Sequence, residues 1–168
     1  MQKERRTRSV AALLLAGLFV AAGVLGSPGG PRKALAGGDW NDAQIGWLSY
    51  QKGLEAAAKS GKPICLVFYT DWCPHCRNYS GVFHDPRVVE AAKKFVMIRV
   101  ERDSNRELSS KYAPDGDYIP RTLFLSPQGE LWEDIHAQRA QYVYFYDERR
   151  AESLLAGMRA ALGRAGSK

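Results

Sequence analysis

Cysteine and histidine are both scarce in this chain, with three of each among 168 residues. A structural zinc site takes four such ligands. Beyond Cys73 and Cys76 the sequence offers only Cys65 and the scattered His84 and His136, with no second paired motif, so no metal site is expected. There is no internal repeat. The C-terminal residues Ala165-Gly166-Ser167-Lys168 are not an endoplasmic-reticulum retention tetrapeptide, which favours a bacterial periplasmic or cell-surface address over an ER lumen. Excess charge is also missing from the expected folded part. Residues 1–26 carry +3 of the total +6, and cleavage after Ala36 would leave +1. So neutral a domain gives no electrostatic case for binding nucleic acid.

The N-terminus has the pattern of a secretory signal peptide. Lys3, Arg5, Arg6 and Arg8 form a basic start, Val10 to Gly26 contains no charged residue, and small-residue cleavage patterns end at Gly26 and at Ala36. At 17 residues the apolar stretch is close to the lower limit for crossing a bilayer, so retention of 10–26 as a membrane anchor is the alternative. Residues 27–44, rich in Gly, Pro and Ala up to 38, read as a linker. Residues 45–163 read as one domain and 164–168 as a tail.

Within that domain, Trp47, Tyr50, Leu54 and Ala57 recur at helical spacing, and Ser60-Gly61-Lys62-Pro63 ends the run. Ile64 to Tyr69 is a short, continuously apolar stretch, as in a central strand covered on both faces. A helix should follow with Cys76, Tyr79 and Val82/Phe83 on one side. Asp85-Pro86 then reads as the cap and first residue of another, with Val89 and Ala92 inward. Phe95–Val100 and Arg121–Leu125 are the next strands, and Glu130–Ile135 is expected to pair with the latter as a hairpin. The last helix is placed at 148–162, with Leu154, Leu155, Met158 and Leu162 buried. The order implies an α/β fold in which helices flank a mixed β-sheet.

The chemistry centres on Trp72-Cys73-Pro74-His75-Cys76. Two thiols three positions apart, where a buried strand feeds a helix, can exchange between dithiol and disulfide. Exchange needs a thiolate at Cys73, and three features would favour one: the helix N-terminus, positive charge or a hydrogen bond from His75, and the Cys76 S–H. A structural disulfide is the alternative reading of the same pair. Cys65, inside an apolar strand, reads as an inert core thiol. Trp72 is expected to shield the sulfurs and cover the core. The aromatic run 142–146 reads as core packing of an inserted loop, with a substrate groove as the alternative.

The strand order, the Trp-Cys-x-x-Cys after the first core strand and the Ile119-Pro120 before a later one resemble the thioredoxin superfamily over residues 45–163. Ala113-Pro114-Asp115-Gly116, Tyr118-Ile119-Pro120-Arg121, Leu123-Phe124-Leu125 and Tyr144-Phe145-Tyr146 resemble a narrower group, the small single-domain ER oxidoreductases related to the anterior-gradient proteins. The resemblance implies a thioredoxin fold, catalysis by Cys73 with Cys76 resolving, and no bound cofactor. It also implies a cis Ile119-Pro120 peptide that, with Trp72, meets the substrate. Two departures stand out: Val67 where most thioredoxins carry an acidic residue, and Pro74-His75, the dipeptide of the periplasmic disulfide oxidases, as the redox-tuning pair. Arg99 or Glu101 could stand in for the missing acid, although paired or solvated charges are the simpler reading.

The expectation is an exported thiol–disulfide oxidoreductase that oxidises or isomerises cysteine pairs in exported proteins and is served by a membrane redox partner. A periplasmic reductase of the cytochrome c maturation type and a non-catalytic partner-binding module are the rival readings.

Overall fold

The computed structural model describes residues 38–167; the expected leader and most of the expected linker lie outside them. Five helices, α1 (Tyr50–Ser60), α2 (Pro74–Ser80), α3 (Pro86–Ala92), α4 (Arg106–Lys111) and α5 (Glu152–Gly166), accompany three strands, β1 (Ile64–Tyr69), β2 (Val96–Glu101) and β3 (Arg121–Leu125). The sheet order is β2-β1-β3, with β1 parallel to β2 and antiparallel to β3. Among the described residues no helix is long and apolar enough to cross a membrane.

Side chains alternate across a strand, so a strand buried on both faces must be apolar throughout. In β1, Cys65 and Val67 join one core with Tyr79, Phe83, Val88, Phe124, Leu154 and Met158. Ile64, Leu66 and Phe68 point into the other, with Ala57, Ile98, Tyr112, Leu123 and Tyr144. Each fully buried aliphatic or Phe side chain stabilises the fold by about 1.5–3 kcal/mol.

Local signals set several boundaries. Gly61 ends α1 in the left-handed conformation (φ 68°), its N–H bonded to the Ala57 carbonyl. Gly53 lets α1 lie on β2, since a Cβ there would come within 2.2 Å of Ile98 Cδ1. Asp85 caps α3 through the Arg87 N–H, with Pro86 as its first residue.

Other expectations need correction. Trp47 precedes α1 instead of lying on it; its indole N–H donates to the Trp40 carbonyl (2.8 Å), and Leu48 bridges Ile98 at the outer edge of β2. Trp40, expected in the linker, packs in the same core as Ile45 at the start of the expected domain. Val88, not Val89, is the fully buried valine of α3. The hairpin partner at 130–135 reduces to a single bridge, Leu131 to Leu125. Beyond Trp132 the chain turns away, and the edge of β3 is met instead by the Tyr144 carbonyl, which accepts from the Thr122 N–H (2.9 Å). The final helix starts at Glu152 rather than 148 because Asp147 Oδ1 draws the N–H groups of Arg149 and Arg150 into a turn (2.9 and 3.1 Å). It runs on to Gly166, so the expected tail is mostly helix, and Leu162 is only partly buried.

Arg121 opens β3 with no solvent exposure. Its Nη1 donates to the carbonyls of Gly116 (3.1 Å) and Tyr118 (2.9 Å) and to Asp117 Oδ1 (2.7 Å), and its Nη2 donates to the Ser109 carbonyl (3.1 Å). The guanidinium lies over the Phe68 ring, 5.0 Å from its centroid. Asp117 is partly exposed, so what the buried guanidinium satisfies is mainly the carbonyls of Ser109, Gly116 and Tyr118, and leaving such acceptors unpaired costs about 1–3 kcal/mol. Arg121→Met and Arg121→Lys should therefore both lose stability on that scale in urea denaturation, since one ammonium cannot serve both sets of acceptors. A loss below about 1 kcal/mol would show that the guanidinium does not organise this region.

Candidate functional site

The turn after β1 places the paired cysteines. Cys73 is the N-cap of α2, with extended backbone (φ −78°, ψ 118°), and Pro74 follows as the first helical residue. The Cys73 sulfur takes the capping acceptor's position and receives the Cys76 N–H at 3.2 Å. Both cysteines are buried, Cys76 completely, and Cys65 on the central strand is buried as well; all three are free thiols. Burial, reinforced by the hydrogen bond it shares with Cys73, pushes the Cys76 thiol well above its ordinary range, against a smaller opposing contribution from the Thr70 backbone. Cys76 therefore holds its proton at neutral pH. One sulfur of the pair is capped at a helix start, while the other is kept protonated one turn further in.

His75 is exposed and has a partner that sequence reasoning missed. Its Nδ1 lies 2.7 Å from Glu148 Oε2, and the Asn78 side-chain amide donates to Glu148 Oε1 (3.1 Å). A carboxylate only accepts, so Nδ1 carries the shared proton. The imidazole also meets Phe145 edge to face, at 5.8 Å between centroids. A concavity of about 750 Å³ opens beside it, lined by His136, Arg139, Phe145, Glu148 and the Gly157 turn of α5. No sequence signal could link Glu148 to His75, because 73 residues separate them.

Trp72 does not cover the core. It is 62% exposed, and its indole N–H donates to Asp103 Oδ2 at 2.9 Å, in the loop after β2. The Ile119-Pro120 bond is cis, as the resemblance implied. Val67 is buried and registers between Arg99 and Thr122. Neither charged residue of β2 replaces the absent acid. Arg99 pairs with Asp42 (3.1 Å) and lies over the rings of Trp40, Trp47 and Tyr69. Glu101 accepts from the Ser104 N–H (2.8 Å) and closes a turn. The aromatic run divides: Tyr144 and Tyr146 are core residues, and Tyr142 is exposed. His84 bonds the Asp39 carbonyl and His136 that of Ala137, both at 3.0 Å.

A thioredoxin-like family model matches residues 46–127. The human anterior gradient protein 2 homolog is 30% identical over 125 residues, covering 73% of this chain and 69% of its own length. The chain belongs to the thioredoxin superfamily. Human anterior gradient protein 3 is 29% identical over 135 residues, 79% of this chain and 78% of that protein. Among solved structures, a thioredoxin from Thermus thermophilus superposes with a TM-score of 0.58 at 24% identity, over 74% of this chain and 92% of its own. A DsbH oxidoreductase gives 0.53 at 21% identity, over 82% and 94%. These likenesses fix the thioredoxin fold, and within it the turn that carries Trp72 and the C-x-x-C pair and the loop that carries the cis proline are two separate segments at one end of the sheet.

Burial raises the Cys65 thiol far above its ordinary value. In the unfolded chain a thiol ionises near about 8.5. Above that pH the unfolded state sheds a proton that the folded state keeps, so stability should be full below about pH 8.5 and fall as pH rises, by up to about 1.4 kcal/mol per pH unit per group. Urea denaturation of the reduced protein between pH 7 and 10 should show this decline. Cys65→Ala should flatten the slope by one group's share, and an unchanged slope would count against a protonated Cys65.

Proposed function

We propose that the protein is an exported thiol–disulfide oxidoreductase that oxidises or isomerises cysteine pairs in other exported proteins. The observation that carries this reading is the unequal setting of the two thiols: the Cys73 sulfur caps α2, whereas Cys76 is fully buried and held protonated.

In oxidation, a substrate thiolate attacks the Cys73 sulfur of the Cys73–Cys76 disulfide. An S–S bond to Cys73 forms, the bond to Cys76 breaks, and Cys76 leaves as a thiolate that takes up a proton. A second substrate thiolate then attacks the substrate sulfur of the mixed disulfide and expels Cys73. The substrate loses two electrons and the enzyme pair gains them; a membrane redox partner removes them again. In isomerisation Cys73 attacks a substrate disulfide, and Cys76 resolves the adduct if the substrate does not rearrange. Pro74 and His75 tune the potential, Ile119 and Pro120 offer the substrate a backbone edge, and Trp72 meets the substrate. No cofactor takes part. A periplasmic or extracellular-face location follows from the basic and apolar N-terminal pattern, with residues 10–26 either removed or kept as an anchor.

Whatever stabilises a thiolate stabilises the reduced form and makes the disulfide a stronger oxidant; such proteins span about −270 mV for thioredoxin to about −120 mV for the strongest periplasmic oxidases. Equilibration with glutathione buffers should place the Cys73–Cys76 couple above about −170 mV. A value below about −230 mV would overturn the oxidising direction and mark a reductase.

Substitution separates the two roles. Cys73→Ser should abolish refolding of reduced ribonuclease, and Cys76→Ser should accumulate mixed disulfides visible on non-reducing gels. Full refolding activity in Cys73→Ser would remove the assignment of Cys73 as the exchanging thiol.

A further inference from the structure

Among the described residues, two large hydrophobic side chains are exposed, Trp72 (62%) and Tyr142 (53%). They lie towards opposite edges of the sheet at the end that carries the thiols. Trp72 adjoins Cys73 and is tied to Asp103, beyond the end of β2. Tyr142 belongs to the segment beyond β3. Its ring meets Tyr118 edge to face at 4.8 Å, and Tyr118 directly precedes the cis Ile119-Pro120 pair. Three residues on, Phe145 packs against His75. The segment 142–145 therefore runs from the proline loop to the C-x-x-C helix.

Tyr142 is held outward at a cost. Its φ of +51° lies in the left-handed region, which a bulky side chain rarely occupies. Asp115 and Tyr118 enforce that shape from the loop opposite. Asp115 Oδ2 accepts the Val143 N–H (2.8 Å), and the Tyr118 hydroxyl accepts the Tyr144 N–H (2.9 Å) while donating to Asp115. Core packing does not explain this arrangement, because the ring it positions remains half in water.

Resting on the oxidoreductase reading, we infer that Tyr142, backed by Tyr118, is a side-chain subsite for the substrate polypeptide. It takes an aromatic or long apolar residue close to the reacting cysteine. The occupant is a protein strand in extended form, crossing the thiol site between Trp72 and Tyr142. Its flanking ring packs on the exposed face of Tyr142, as aromatic pairs do at offset or edge-to-face geometry. Tyr142 thus sets specificity, and the exchange chemistry remains with Cys73 and Cys76.

The test uses two disulfide-linked peptides that differ only in the residues flanking cysteine, Phe in one and Gly in the other. Each is assayed for exchange with wild type, Tyr142→Asn and Tyr142→Phe. Asn tolerates the left-handed backbone, so the segment keeps its shape without the ring. Wild type and Tyr142→Phe should favour the Phe peptide in kcat/KM by about threefold to tenfold, mainly through KM. In Tyr142→Asn that ratio should fall towards one. A ratio that is the same in all three proteins, with both peptides reacting, overturns the subsite and leaves the oxidoreductase reading standing. If wild type exchanges with neither peptide, both fall. An unchanged ratio together with loss of self-association in Tyr142→Asn would assign this face to a second copy of the chain, and would equally overturn the proposal.

Discussion

The geometry around the thiols depends on one guanidinium removed from water. Arg121 stands at the first position of β3, directly after the cis proline, and its two terminal nitrogens bind the backbone at 109, 116 and 118 together with the Asp117 carboxylate. A buried charge is tolerated only where its hydrogen bonds are met, so the charge in effect dictates the path of the loop before it. Burial opposes the Asp117 charge, but the hydrogen bonds from Ser109 and Arg121 outweigh it and hold that carboxyl below its ordinary value. The loop so fixed presents Asp115 and Tyr118, which hold the backbone of 143 and 144. That segment in turn sets Phe145 against His75. From the sheet to the 143–144 backbone each link is a hydrogen bond or ion pair, and a ring contact between Phe145 and His75 completes the path.

The parts of this architecture that local chemistry encodes were readable from sequence. β1 falls on the expected residues because an unbroken apolar run admits few alternatives once turns bound it, and β3 does so because Pro120 and the 126–129 turn bound it on either side. The caps at Gly61 and Asp85 likewise follow from backbone preferences of single residues. Expectations failed where a distant partner competes with a local pattern. Glu130–Ile135 has strand character, yet only its first residues meet β3; the Thr122 end of that edge goes to the Tyr144 carbonyl, and Trp132 and Ile135 send their side chains to the core. Residues 148–151 would extend α5 by propensity, but the Asp147 side chain captures the amides that a first turn needs, and Glu148 turns to His75. Trp72 was expected inward because a large indole usually gains from burial; its N–H instead finds Asp103 at the surface. Arg121 gave no sign in sequence of complete burial, since arginine is among the residues least often buried without a partner.

The absent core acid at Val67 bears on how protons move. In this chain the surroundings of Cys76 are apolar, with Cys65, Val67 and Tyr79 in the same cluster and the Tyr79 hydroxyl engaged with Thr122 at 2.7 Å. No carboxylate of β1 or β2 is placed to take the Cys76 proton, because Glu101 closes its own turn and Arg99 sits among aromatic rings. Burial, reinforced by the hydrogen bond shared with Cys73, therefore keeps Cys76 protonated until a neighbouring group changes.

That condition sets the order of events at the pair. A thiol kept protonated by desolvation cannot open an exchange, since the thiolate is the nucleophile. Cys73 is the member whose sulfur already accepts a backbone N–H at the start of α2. In the proposed exchange, bonding Cys73 to a substrate sulfur would remove the hydrogen bond and the charge of Cys73 that help to hold the Cys76 proton, leaving burial as the remaining cause. The proposed resolution by Cys76 would thereby be coupled to formation of the adduct. In that proposal the direction of exchange comes from the different settings of two identical residues, one capping α2 and one packed with the apolar Val67.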